Sequence, residues 1–238
     1  KSVVESVVKE TVAQEIRVQP PEARELPEPI ATPAVKAAFD KTVALLGLIL
    51  LSPLFLGIAL AILVDGLLDP ENRGPVFYSE PRVSQGEIFE LYKFRVAKTA
   101  AVEAATRAKG YKHVKKLEKR QETKTNVGRW LQKYYLDELP QLINVLKGDM
   151  SLVGPRPWPV HMHRREVEQG IYRKAMVRPG LTGLVQAHKG ELARFGGSRA
   201  LDEAYIEACR TLSPLELLSF DVRLMAQSIR VLIRGQGL

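Results

Sequence analysis

The stretch Val43 to Val64, VALLGLILLSPLFLGIALAILV, runs for 22 residues without a charge. Fifteen of them are Val, Leu, Ile or Phe, and as a straight helix the run would reach about 33 Å, the depth of a bilayer's hydrocarbon core. Each of those fifteen contributes roughly −0.3 to −0.6 kcal/mol to insertion. The central Ser52-Pro53 costs about 3 kcal/mol in a helix interior, so insertion survives while straightness does not. A kink is expected there, with the Ser52 hydroxyl bonded to a carbonyl freed by the break. Lys36 and Lys41 precede the run, and the positive-inside tendency holds that end in the cytoplasm. The chain beyond Asp65 is suited to cytosolic chemistry, so the run is read as re-entrant, dipping into one leaflet and returning. Lys36, Lys41, Ser52 and Pro53 are its candidate anchor residues.

The chain around this run has 238 residues, 45% of them apolar, which excludes wholesale disorder and collagen-like architecture. Its net charge of +8 favours anionic partners. The single cysteine, Cys209, fits a reducing compartment and excludes a Cys-rich zinc site. Basic residues concentrate in 93–133, where thirteen Lys or Arg face three Glu. Next to a membrane segment, such a stretch attracts anionic lipid by about 1 kcal/mol per charge; the alternative is a solvated helical face. Aromatic residues are scarce within it, which argues against nucleic acid. Val3, Val4, Val7, Val8, Val12 and Ile16 predict a short amphipathic helix, followed by a stiff linker with five prolines between Gln19 and Pro33. Short runs at Val76–Tyr78 and Ile88–Phe94 predict a hairpin. Leu217, Leu218, Val222, Met225 and Ile229 make a C-terminal stripe, read as core or a membrane-contacting face. The expected organisation is an extension over 1–34, a re-entrant membrane helix over 35–66 and a cytoplasmic catalytic domain over 67–238. The fold class is mixed α and β, mostly helical with a small β-hairpin, in a monotopic membrane protein with one proline-broken membrane helix.

The chemistry gathers in Leu136 to Pro159, LDELPQLINVLKGDMSLVGPRPWP. Leu139, Leu142, Ile143 and Leu146 form a helical stripe closed by Gly148. Asp137 stands where an N-cap belongs, with Pro140 tolerated in the first turn. Asp137 and Glu138 at a helix start suit phosphoryl chemistry, because that end attracts phosphate and a hard cation can bridge carboxylate and phosphate oxygens. Taken alone, such a pair is more often a cap beside a solvated charge. Two rigid loops, Gly154-Pro155-Arg156-Pro157 and Arg178-Pro179-Gly180, offer guanidinium groups to a diphosphate, and Lys93 and Arg95 add charge from the hairpin.

The landmarks FDKTVALLGLILLSP, GPVFYSEPRV, YKFR, LDELPQLINVLKGDMSLVGPRP and RPGLTG occur in this order. In them the chain resembles the monotopic phosphoglycosyl transferases, bacterial sugar transferases that act on polyprenyl phosphate, from about Lys36 to the C-terminus. The resemblance implies transfer of a sugar 1-phosphate from a nucleotide diphosphate sugar, expected to be a UDP-sugar, to polyprenyl phosphate. It implies Asp137 as nucleophile, Glu138 as ligand to Mg2+ (or Mn2+), and substrate contacts from Lys93, Arg95, Lys133, Arg156 and Arg178. The implied location is the cytoplasmic face of the cell inner (plasma) membrane, with membrane lipid as a partner and a homo-oligomer left open.

Departures from the family pattern occur in three places. Gln132 stands where an arginine is common, with Lys133 beside it. Val96-Ala97 follows the Lys-Phe-Arg motif in place of Thr-Met, and Leu184-Val185-Gln186 replaces Trp-Ala-Gln. The competing reading is a catalytically impaired membrane scaffold that binds anionic lipid or a partner through the basic segment. His161 and His163 have metal-like spacing but read as surface residues, and Asp202 and Tyr205 as structural.

Overall fold

The computed structural model describes residues 26–109, 117 and 120–233. The helix expected within 1–18 lies outside them, as does part of the basic segment. The chain forms two compact units: the described residues up to 42 with 82–89 and those from 147 onward, and residues 43–81 with 90–146. Helices dominate and the sheets are small, as the composition led one to expect.

The membrane-length run is broken where the proline required. Helix α1 (Ala34–Leu50) and helix α2 (Ser52–Leu68) meet at 59°. Pro53 lies in the first turn of α2, where its missing N–H has no intrahelical acceptor. The Ser52 hydroxyl donates to the Ile49 carbonyl at 2.8 Å, replacing part of what the break removes. Among the described residues no single helix is long and apolar enough to cross a membrane. Leu50, Leu56, Leu60, Leu67 and Leu68 are exposed, Leu68 at 82%. An unburied leucine forgoes roughly 1.5–3 kcal/mol, so this surface calls for an apolar neighbour.

The unit of 43–81 and 90–146 has a core of Ile58, Ile62, Phe94 and Leu131. Phe94 sits between Phe55 at 5.2 Å and Phe77 at 5.3 Å. It ends the hairpin of β1 (Phe77–Ser84) and β2 (Glu87–Phe94), which is longer on its first strand than the sequence pattern indicated. Helix α3 (Thr99–Lys109) follows. Helix α4 (Asn126–Lys133) packs on α2, and buried Asp65 joins them. Its carboxylate accepts from the Asn72 amide, the Asn126 amide and the Val127 N–H, each at 3.1 Å. The last of these satisfies an orphan donor of α4's first turn with an anion, the favoured sign at that end. Helix α5 (Gln141–Lys147) follows a tight turn and is closed by Gly148 at φ +90°.

The other unit is built on a short parallel pair, β3 (Ser151–Val153) with β5 (Gly180–Thr182). Gly154 and Gly180 lie so close that a Cβ on Gly180 would overlap the Gly154 nitrogen, and one on Gly154 the Arg178 carbonyl oxygen. Only glycine lets these two arginine-bearing loops touch. Strand β4 (Trp158–Pro159) pairs with β1 at Arg82–Pro159 and Val83–Trp158. Helices α6 (Val160–Glu168), α7 (Arg173–Met176) and α8 (Leu184–Ala187) lead to α9 (Gly197–Thr211) and α10 (Pro214–Ile233). The face α10 buries is Leu217, Asp221, Leu224 and Ser228, while Val222 and Ile229 of the expected stripe are exposed. Leu217 of the expected stripe thus lies in the core, and the rest of the buried face is anchored by a polar residue. Asp221 accepts from the Tyr205 hydroxyl at 3.0 Å and pairs with Lys36. The Val153 carbonyl lies 2.8 Å from the same hydroxyl, whose single proton is shared between the two acceptors. The half-buried Cys209 thiol beside this network is pushed up to about 12, first by desolvation and then by Asp221.

Candidate active site

Asp137 and Glu138 lie in a single 3-10 turn, Leu136–Glu138, and the α-helix begins only at Gln141. Asp137 is therefore not the helix cap that its position in the sequence suggested. The reason is local: Tyr135 adopts the left-handed conformation at φ +58°, a cost of about 1–3 kcal/mol for a residue with a side chain, and turns the backbone before the helix starts. Leu136 and Leu139, on either side of the acids, pack against the core of Ile58, Ile62, Phe94 and Leu131. Burial of these two leucines holds the turn against that cost.

The carboxylates share an ammonium from the neighbouring strand. Lys93 Nζ on β2 is 3.6 Å from Asp137 Oδ2 and 3.5 Å from Glu138 Oε1. Asp137 is 3% exposed and Lys93 is buried, so their attraction is screened far less than at a surface. Asn144 sets the register of β2 against α5: it accepts from the Tyr92 N–H at 3.0 Å and donates to the Glu90 carbonyl at 2.7 Å. Sequence reasoning did not single out Asn144, which the structure buries fully and satisfies through these two bonds.

The remaining candidates fall in different places. Arg95 shares the unit of the acid pair, but its guanidinium donates to the Pro75 carbonyl at 2.8 Å and the Asn72 carbonyl at 2.7 Å. Burial lowers its pKa, opposed by the charge of Asp65. Lys133 is exposed, with Nζ 5.4 Å from the centre of the Tyr134 ring. Arg156 and Arg178 belong to the other unit, on the loops brought together by Gly154 and Gly180. Arg156 is exposed and Arg178 half-buried. Lys36 is buried, within 3.6 Å of Asp40 and paired with Asp221, whereas Lys41 is exposed.

Behind the Arg156 loop lies a charge network. Arg173 donates to Glu166 at 3.0 Å and to Asp202 at 2.6 Å, and Lys174 donates to Asp202 at 2.7 Å and to the Arg156 carbonyl at 3.3 Å. Both cations lie over the Trp158 ring, at 4.5 and 5.1 Å. Burial lowers the Lys174 pKa and raises that of Asp202, each opposed by the charge of the other. His163 is buried, not on the surface as its polarity suggested, and burial lowers its pKa against the pull of Glu166. Among the described residues no cluster of three or more His, Cys, Asp or Glu could hold a metal.

A paired aspartate and glutamate beside a buried lysine, in a chain with a bent apolar helix pair, define a candidate phosphoryl-transfer site. The chain belongs to the bacterial sugar transferase family, whose model matches residues 31–235. It is 34% identical over 218 residues to the UDP-N-acetylgalactosamine-undecaprenyl-phosphate N-acetylgalactosaminephosphotransferase of Aeromonas hydrophila, a match covering 89% of this chain and 46% of that one. The undecaprenyl-phosphate glucose phosphotransferase of Komagataeibacter xylinus is 36% identical over 66% of this chain and 29% of its own. The exopolysaccharide production protein ExoY of Sinorhizobium fredii is 34% identical over 77% and 81%. The chain thus spans less than half the length of the first two relatives and most of the third.

Proposed function

We propose that this chain transfers a sugar 1-phosphate from a nucleotide diphosphate sugar, in the first instance a UDP-sugar, to polyprenyl phosphate. The reaction is placed at the cytoplasmic face of the inner (plasma) membrane, as the first membrane step of polysaccharide or glycoconjugate synthesis. One observation carries the reading: a buried aspartate and its neighbouring glutamate share one ammonium in a turn packed on the apolar helix α2. The relatives' names supply the substrate class.

An Asp137 carboxylate oxygen attacks the phosphorus that bears the sugar. The bond from that phosphorus to the nucleoside monophosphate breaks, the nucleotide leaves with the electron pair, and an aspartyl phosphosugar remains. A phosphate oxygen of the polyprenyl acceptor then attacks the same phosphorus, breaking its bond to Asp137 and restoring the carboxylate. Lys93 reduces the repulsion between the acids and the incoming anion. Arg156 and Arg178 are the proposed diphosphate contacts, and Arg95 and Lys133 further candidates. Two adjacent carboxylates suit a hard divalent cation such as Mg2+ or Mn2+, and Glu138 would hold it. Such a cation, when bound, neutralises charge developing on the transferred group. The 59° bend and the leucine-covered helix faces suit a pair that enters one leaflet and returns.

The test incubates membranes containing the chain with a panel of nucleotide sugars and polyprenyl phosphate. The expected result is release of nucleoside monophosphate that needs a divalent cation, with labelled sugar phosphate trapped on the protein after acid quench. Nucleotide release by Asp137→Asn at the unaltered rate would overturn the assignment.

A further inference from the structure

Helices α2 and α4, both within the unit of 43–81 and 90–146, leave between them a groove of about 480 Å³. Leu54, Gly57 and Ala61 form one wall, Val127 and Trp130 the other, and buried Ile58 and Leu131 lie at its base. Its single polar lining residue, Asn126, has its amide bonded to Asp65. Trp130 is 51% exposed, so the groove is an open apolar channel and not a sealed core void.

Two features connect this channel to the chemistry. Ile58 and Leu131 belong to the cluster on which Leu136 and Leu139 pack, and those leucines bracket Asp137 and Glu138. At the end of α4, Trp130 and Tyr134 lie 5.4 Å apart with Lys133 over the Tyr134 ring, an aromatic and basic rim suited to headgroup depth. We infer that the groove receives the isoprenoid chain of the lipid acceptor, in the units nearest its phosphate. This rests on the proposed function, which supplies a ligand with an anionic head and an isoprenoid tail. At roughly 30 Å³ per heavy atom, as in liquid water, the groove holds on the order of three isoprene units. The acyl chain of a bulk phospholipid is the competing occupant.

Gly57→Leu tests the groove directly, because a Cβ at Gly57 meets nothing within 4 Å and a leucine enters without displacing backbone. With the full chain in vesicles, the KM for polyprenyl phosphate rises about tenfold, while nucleotide release in the absence of acceptor keeps its rate. An unchanged acceptor KM overturns the inference, as does an equal fall in both steps. A second readout needs no turnover: polyprenyl phosphate carrying a diazirine in its first isoprene units is crosslinked to the chain. Labelling of the peptide with Trp130, competed by unlabelled polyprenyl phosphate, supports the groove. Labelling elsewhere, or equal competition by phosphatidylglycerol, overturns it. A chain without nucleotide release would defeat the proposed function, while the crosslink would still show whether the isoprenoid occupies the groove.

Discussion

The two buried charge clusters, described each in its own unit, differ in how closely lysine and arginine approach the acids. Around Asp202, two cations and two carboxylates bond at 2.6–3.0 Å over an indole face. Around Asp137, two carboxylates share an ammonium at 3.5–3.6 Å, beyond ordinary hydrogen-bond length. The Asp202 cluster offsets its own desolvation and holds a loop, whereas the Asp137 pair is the one proposed to meet a phosphate and a cation.

The largest test of that contrast is Asp137→Asn. It lowers nucleotide release at least about 10³-fold and leaves the melting temperature close to that of the unaltered chain, as expected for a lost nucleophile. Asp202→Ala does the reverse in kind. It removes the carboxylate shared by Arg173 and Lys174, leaves their buried charge uncompensated, and costs about 3–5 kcal/mol in urea denaturation. Lys93→Met comes next: it lowers the donor half-reaction by about 10–100-fold, whereas a purely structural lysine would alter stability and not rate.

The smallest effect is a pH dependence. Burial depresses the His163 pKa below its ordinary 6.5, so the folded chain binds fewer protons there than the unfolded one. Stability is then fully present above about pH 6.5 and declines as pH falls from there through the folded-state value. His163→Gln flattens that slope in thermal melts recorded from pH 7.5 to 5.5, by on the order of 1 kcal/mol or less.

Much of the fold was legible because its causes are local. The broken apolar run follows from an unbroken string of apolar residues with Ser52-Pro53 at its middle, and the hairpin turn from Gln85-Gly86, where both residues adopt positive φ. Gly148 closes the helix after the acids, as its place in the pattern indicated. The surroundings of Asp137 were less legible. Its apparent place as a helix cap was an inference from neighbours in sequence, and Tyr135 overrode it by turning the chain two residues before Asp137. Nothing in the spacing shows that Asn144 pins β2 or that Lys36 pairs with Asp221, since those partners are far apart along the chain.

The amino-acid sequence alone determined the apolar helix pair, its break and the adjacent acids, because each depends on side-chain chemistry over a few residues. Tertiary structure decided which cation faces Asp137, which face of α10 is buried and which basic residues hold the scaffold. Those outcomes depend on long-range packing, where burial sets the strength of each charge and a partner distant in sequence decides how it is stabilised.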